Sequence, residues 1–175
     1  RLAGAFASAG LPAGVFQHVV ATHDDVAAMI GDPRVDFVAF TGSVAGGHTI
    51  AAQAGQRFIG TGLELGGKDP AYVRADADLS LTVADTVVGA FFNSGQSCCA
   101  IERIYVHADV FDEFVARFAE AARGYVLGDP CDADTTIGPM VHARAAQSVR
   151  AQVADALAAG ARALVSEADF PAAAA

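Results

Sequence analysis

Three short stretches of this sequence combine residue types that can do chemistry. In Phe91-Phe92-Asn93-Ser94-Gly95-Gln96-Ser97-Cys98-Cys99 a thiol lies just beyond a glycine that should end a helix. Backbone N–H groups in such a turn are free to stabilise a thiolate or a developing oxyanion. The competing reading of Cys98 is a small buried hydrophobe. Adjacent cysteines rarely bridge each other without strain. Cys98 and Cys99 also lack the spacer that lets paired thiols wrap zinc, and Cys131 is a lone third thiol. None of His18, His23, His48, His107 and His142 falls in a partner motif of a Cys-His hydrolase. A nucleophilic cysteine without a histidine base points to a carbonyl substrate whose adduct a carboxylate resolves.

Leu63-Glu64-Leu65-Gly66-Gly67-Lys68 offers that carboxylate. Inside an apolar strand ionisation is disfavoured, which suits Glu64 to general-base work, whereas strand alternation equally allows it to face solvent. Lys68 is either its ion-pair partner or a surface charge. The third stretch, Phe40-Thr41-Gly42-Ser43-Val44-Ala45-Gly46-Gly47, joins a strand to a helix through glycines. Backbone N–H groups and a helix N-terminus can face a phosphate there. It is neither the G-x-G-x-x-G fingerprint nor a Walker loop, so an ordinary strand-to-helix turn competes with nucleotide binding.

Alternating helix and strand units must position these groups, which predicts an α/β fold. Leu2, Ala5, Phe6 and Ala9 have helical spacing up to Gly10, and Val15–Val20 reads as an extended run. A helix over Asp24–Ile30 precedes a strand at Val35–Phe40, a small-residue helix at Val44–Ala54 and a strand at Phe58–Leu65. Beyond Gly66-Gly67, the best candidate for an internal boundary, comes a strand at Ala71–Val73. Leu79, Val83, Val87 and Phe91 then mark one face of a helix starting near Asp78 and stopping at Gly95. Ile101–His107 reads as a strand. Asp109 is expected to cap a helix with a buried stripe of Phe111, Phe114, Val115 and Phe118, ended by Gly124. A last helix carries Val149, Val153 and Leu157, and Ala163–Val165 reads as a short strand. The tail from Phe170-Pro171 to Ala175 carries no functional weight.

Composition excludes several classes. With 175 residues, 53% hydrophobic and 18% charged, the chain can bury a core. A net charge of −9 has the wrong sign for gripping nucleic acid or an anionic membrane surface. Apolar stretches such as Phe37–Ala54 are interrupted by Gly, Ser, Thr and His, short of the roughly 20 residues that span a bilayer. Three cysteines, an odd number, do not make a secreted disulfide framework, so a cytoplasmic location is expected. The sequence begins at Arg1 with no targeting pattern and reads as starting in mid-fold.

Phe-Thr-Gly-Ser at 40–43, Glu-Leu-Gly-Gly-Lys at 64–68 and Phe-Phe-Asn-x-Gly-Gln-x-Cys at 91–98 occur in an order and spacing that resemble the aldehyde dehydrogenase superfamily. Gly138-Pro139-Met140-Val141 resembles the family's later Gly-Pro segment, and the likeness covers about residues 1–165. It implies a partial Rossmann-type cofactor domain followed by a partial α/β catalytic domain. Residues 1–66 would be the second half of the dinucleotide-binding domain and 67–175 the first half of the catalytic domain. It also implies NAD or NADP as cofactor, a small-molecule aldehyde as substrate and a homo-oligomer in the full-length form. By the same resemblance Cys98 attacks the aldehyde and Glu64 activates the water that hydrolyses the thioester. Gly42, Ser43, Gly47, Leu65 and Gly66 contact the cofactor, and the Cys98 N–H is half of an oxyanion hole. Ser97 and Cys99 shape the aldehyde pocket, and Cys131 is structural.

Members of that family are nearly three times as long, and two of their upstream residues, an oxyanion-hole Asn and a ribose-binding Lys, have no counterpart in this sequence. Nor do their later Glu-x-Phe-Gly-Pro segment and their C-terminal oligomerisation strand. The chain therefore resembles the middle of such an enzyme. The alternatives are a truncated, non-catalytic remnant acting as a fold or interaction module, and a thiol redox sensor built on Cys98 and Cys99.

Overall fold

The earliest element, α1 (Leu2–Ser8), buries none of its residues, and its Phe6 ring meets Phe16 at a centroid distance of 4.7 Å. The structure, a computed structural model, describes residues 1–170 and divides into two compact units, Arg1–Leu65 and the part beginning at Gly66. In the first unit α2 (His23–Gly31) starts at Thr22, whose hydroxyl accepts the Asp25 N–H while the Asp25 carboxylate accepts the Thr22 N–H. This reciprocal box satisfies donors that a helix start leaves open. β1 (Phe37–Thr41), α3 (Val44–Gly55) and β2 (Gly60–Glu64) form a strand–helix–strand unit with parallel strands, in register from Phe37 opposite Gly60 to Thr41 opposite Glu64. Ile30, Ile50 and Ala54 form its core, packed by Val26, Val38, Phe40 and Ile59. Arg57 donates to the Ile30 and Val35 carbonyls at 2.8 and 3.0 Å, tying the end of α2 to the approach of β1.

The second unit repeats the pattern. β3 (Asp69–Val73) leads to α4 (Leu79–Phe91), capped by Asp78, whose carboxylate accepts the Ser80 and Leu81 N–H groups. β4 (Ile101–Val106) lies parallel to β3. α5 (Phe111–Arg123) packs against α4, and α6 (Ala143–Ala158) follows a long connection. Val73, Val83, Val87 and Phe114 are the core, with Leu79, Phe91 and Phe118 against it. The α4 stripe read from the sequence is therefore the face that packs. Parallel strands joined through helices bear out the α/β expectation.

Five sequence expectations need correction. Val15–Val20 is not a strand: no described strand lies beside it to take its N–H and C=O groups, and Val20 is 90% exposed. Ala163–Val165 is not one either, and the Leu164 carbonyl accepts instead from Arg123 at 2.5 Å. The strand expected from Phe58 begins at Gly60, because Phe58 sits in left-handed backbone, φ 57°, as the chain leaves α3. Asp109 does not cap α5. It lies in a short 3-10 turn where the His107 ring accepts its N–H, and Phe111, expected in the buried stripe, is 49% exposed.

Candidate functional site

Cys98 lies between α4 and β4, where the helix unwinds through a 3-10 turn over Phe92–Gly95. Three successive residues there adopt left-handed backbone: Asn93 (φ 52°), Ser94 (φ 59°) and Gly95 (φ 71°). Asn and Gly tolerate that region, while Ser adopts it at a cost, and such strain concentrates at functional sites. A turn closed by the Ala100 N–H on the Ser97 carbonyl at 3.1 Å then presents Cys98 and Cys99, both exposed, ahead of the buried Ala100. Among the described residues no internal acceptor takes the Cys98 N–H. The buried-hydrophobe alternative for Cys98 is thereby excluded.

Gly67 supports this turn from the other side. A Cβ at Gly67 would stand 2.1 Å from the Cys98 carbonyl oxygen, so glycine is required for the approach of two backbones rather than for an unusual φ. Gly66, by contrast, has nothing within 4 Å of its Cβ position. Lys68 pairs with Glu102, at the point where the β3–β4 register slips between Asp69 and Pro70. Such an irregularity re-aims a side chain out of the ladder.

Glu64 is the last residue of β2 and is exposed. It is not enclosed in an apolar strand, and Lys68 pairs with Glu102. Its main chain joins the parallel ladder, the Glu64 carbonyl accepting the Gly42 N–H at 3.0 Å. That bond brings the Gly42 turn to the end of β2 within the first unit. Ser43 caps α3, its hydroxyl accepting the Gly46 N–H at 3.1 Å. The glycines of this turn have internal partners. Cβ atoms at Gly42 and Gly46 would meet the Phe40 ring at 2.5 and 2.7 Å, and one at Gly47 would meet Leu65 at 2.8 Å. What the turn offers a ligand is the pair of N–H groups on Val44 and Ala45, which no internal bond engages among the described residues. The start of a twelve-residue helix is a physically sound place for a phosphate.

The charge perturbations lie away from these groups. Hydrogen bonds from the Thr22 backbone and hydroxyl lower Asp25, the Arg34 guanidinium lowers Asp32, and the Ser166 N–H with Arg123 lowers Asp169. Among the described residues no cluster of three or more His, Cys, Asp or Glu is placed to hold a metal ion, and no helix is long and apolar enough to cross a membrane.

Sequence reasoning missed the residues that brace the Cys98 turn. The Ser94 hydroxyl donates to the Gly138 carbonyl at 2.7 Å, and the Gln96 side chain accepts the Val141 N–H at 2.8 Å. Gly138-Pro139-Met140-Val141 is thus bound directly to the loop that carries the thiol. Its one signal in the sequence is the Gly-Pro segment itself.

Known proteins resemble this chain in sequence and fold. The profile described as the aldehyde dehydrogenase family matches residues 1–173. Over 160 residues the chain is 42% identical to succinate-semialdehyde dehydrogenase [NADP(+)] 1 of Mycobacterium tuberculosis, covering 91% of this chain and 35% of that protein. Among solved structures, lactaldehyde dehydrogenase from Escherichia coli superposes with a TM-score of 0.85 at 40% identity, over 91% of this chain and 35% of that one. Succinate-semialdehyde dehydrogenase from Burkholderia pseudomallei gives 0.87 at 33% identity, over 91% and 33%. The chain spans about a third of the length of the relatives it matches.

Proposed function

The chain belongs to the aldehyde dehydrogenase family, and from that premise we propose that the intact protein carrying it oxidises an aldehyde to the carboxylic acid, with Cys98 as nucleophile and Glu64 as the base that activates water. The observation that carries this reading is the Cys98 turn: an exposed thiol with its own N–H unengaged, on a backbone held by Gly67 and by the left-handed run Asn93–Gly95. Residues 1–66 are assigned to the cofactor half and 67–175 to the nucleophile half. The names of the mycobacterial relatives make NADP+ and a small semialdehyde the first pair to assay.

The cofactor's phosphates suit the start of α3. Val44 and Ala45 would donate N–H groups, Ser43 would fix the helix start, and Gly42, Gly47, Leu65 and Gly66 would shape the backbone around it. When bound, the nicotinamide supplies the hydride acceptor. The Cys98 thiolate, its proton already released to solvent, adds to the aldehyde carbon, giving a thiohemiacetal oxyanion that the Cys98 N–H stabilises. Collapse of that oxyanion with loss of hydride leaves the acyl group on Cys98 as a thioester. Glu64 takes a proton from water, hydroxide adds to the acyl carbon, and the carboxylic acid leaves with the thiol restored.

Glu64→Gln tests the assignment. General-base loss should lower steady-state turnover roughly 10²–10⁴-fold while one equivalent of reduced cofactor still forms rapidly. Mass spectrometry of the quenched protein should then find the acyl group on the Cys98 peptide, and Cys98→Ser should abolish the burst. Near-normal turnover of Glu64→Gln, or an unmodified Cys98 peptide, refutes these roles.

A further inference from the structure

We propose that Ser94 and Gln96 are positioning residues for Cys98, latching the Gly138–Val141 segment onto the loop so that its strained backbone keeps one shape. The proposal rests on the reading of Cys98 as nucleophile. A run of three left-handed residues is an unfavourable way to connect a helix to a strand, and only Asn93 and Gly95 suit it. Ser94 at φ 59° and ψ 32° is the exception, and its hydroxyl makes the part-buried bond to the Gly138 carbonyl at 2.7 Å. Strained residues persist where surrounding bonds over-determine them.

Gln96 completes the latch with both ends of its amide. Its oxygen accepts the Val141 N–H at 2.8 Å, and its NH2 donates to the Asn93 carbonyl at 3.0 Å, an oxygen that also accepts the Gln96 main-chain N–H at 3.1 Å. The segment it grips is anchored elsewhere. Just before Gly138 the Thr136 and Ile137 N–H groups bond the Val126 carbonyl, and the Gly128 N–H bonds the Ile137 carbonyl. The loop end is thus tied to the connection that follows α5, two residues ahead of Cys98. With Gly67 against the Cys98 carbonyl, the turn is held on both sides.

The latch is tested in the intact protein with Gln96→Ala, Gln96→Glu and Ser94→Ala, read by amide hydrogen exchange of the peptide containing Val141 and by the rate and size of the cofactor-reduction burst. Gln96→Ala should expose the Val141 amide and slow the burst about tenfold to a hundredfold, with the KM for cofactor unmoved. Gln96→Glu keeps the acceptor for the Val141 N–H but loses the NH2 donor to the Asn93 carbonyl, so it should restore the Val141 protection and only part of the burst rate. Ser94→Ala should slow the burst in the same direction, and serves if Gln96→Ala fails to fold. Cys98→Ser in the same assay separates the two claims. If it abolishes the burst while Gln96→Ala and Ser94→Ala leave the burst rate at the wild-type value, the latch is refuted and the nucleophile stands. Failure of Gln96→Glu to restore the Val141 protection refutes it equally.

Discussion

Replacing Gly67 by alanine adds one methyl group where the backbone of the Cys98 turn leaves no space. The new Cβ would stand 2.1 Å from the Cys98 carbonyl oxygen and 3.2 Å from its carbonyl carbon. Cβ contacts do not fall below 3.0 Å, so the two backbones must part by about 0.9 Å. Neither partner is the tip of a flexible side chain, so the strain cannot be shed by a rotamer change. Overpacking of this kind costs about 1–3 kcal/mol. At about 2–4 °C per kcal/mol for a chain of this size, calorimetry should show melting lowered by about 2–12 °C. Gly66→Ala is the control for stability. It has open space around its Cβ position and no positive φ, so its effect should stay within about 0.5 kcal/mol. If Cys98 is the nucleophile, as proposed, a displacement near 1 Å there should also cost the intact protein about 10²-fold in the burst rate. A Gly67→Ala protein that melts with the wild type would show that the close approach does not constrain the turn.

Two further outcomes follow from the caps. Asp78→Ala removes the acceptor for the Ser80 and Leu81 N–H groups and should lower stability by about 0.5–2 kcal/mol, read as a lower urea midpoint with an unchanged slope. Asp25 titrates below its ordinary 3.8 because it accepts from the Thr22 backbone and hydroxyl. A depressed carboxylate contributes stability that is fully present above its unfolded value and lost as pH falls through its folded value. Asp25→Asn should therefore lose less stability than the wild type between about pH 5 and about pH 3, and an identical acid limb would contradict this.

Much of this architecture was legible because its signals are periodic. The α4 stripe at Leu79, Val83, Val87 and Phe91 follows the helix repeat, and Asp78 stands where a cap belongs. Strand ends were less legible, since they depend on partners. Val15–Val20 has the composition of a strand, yet no described strand lies beside it. Phe58 has a good strand residue's side chain, yet the exit from α3 places it at positive φ. In the candidate site, Cys98 and Glu64 are singled out by residue type and spacing. Their surroundings are not, because Gly67, Ser94 and Gln96 act through contacts spanning tens of residues, such as the 44-residue separation of Ser94 from Gly138.

The glycines of the strand-to-helix turn show why residue type alone underdetermines a binding site. Gly42 and Gly46 read equally well as room for a phosphate or as room for a side chain, and the structure fills both Cβ positions with the Phe40 ring. Gly47 is buried and abuts Leu65 in the same way. Adding a methyl group at any of the three would disturb packing whether or not a cofactor binds, so lost activity in such variants would not identify a ligand site. The groups that remain for a ligand are the Val44 and Ala45 N–H donors, which carry no side-chain signature. Their availability depends on Ser43, whose hydroxyl occupies the Gly46 N–H and fixes where the helix begins. An anion bound at this turn, as proposed, would therefore be held by backbone direction, set by one capping serine and by glycines whose first duty is to let Phe40 and Leu65 close beneath it.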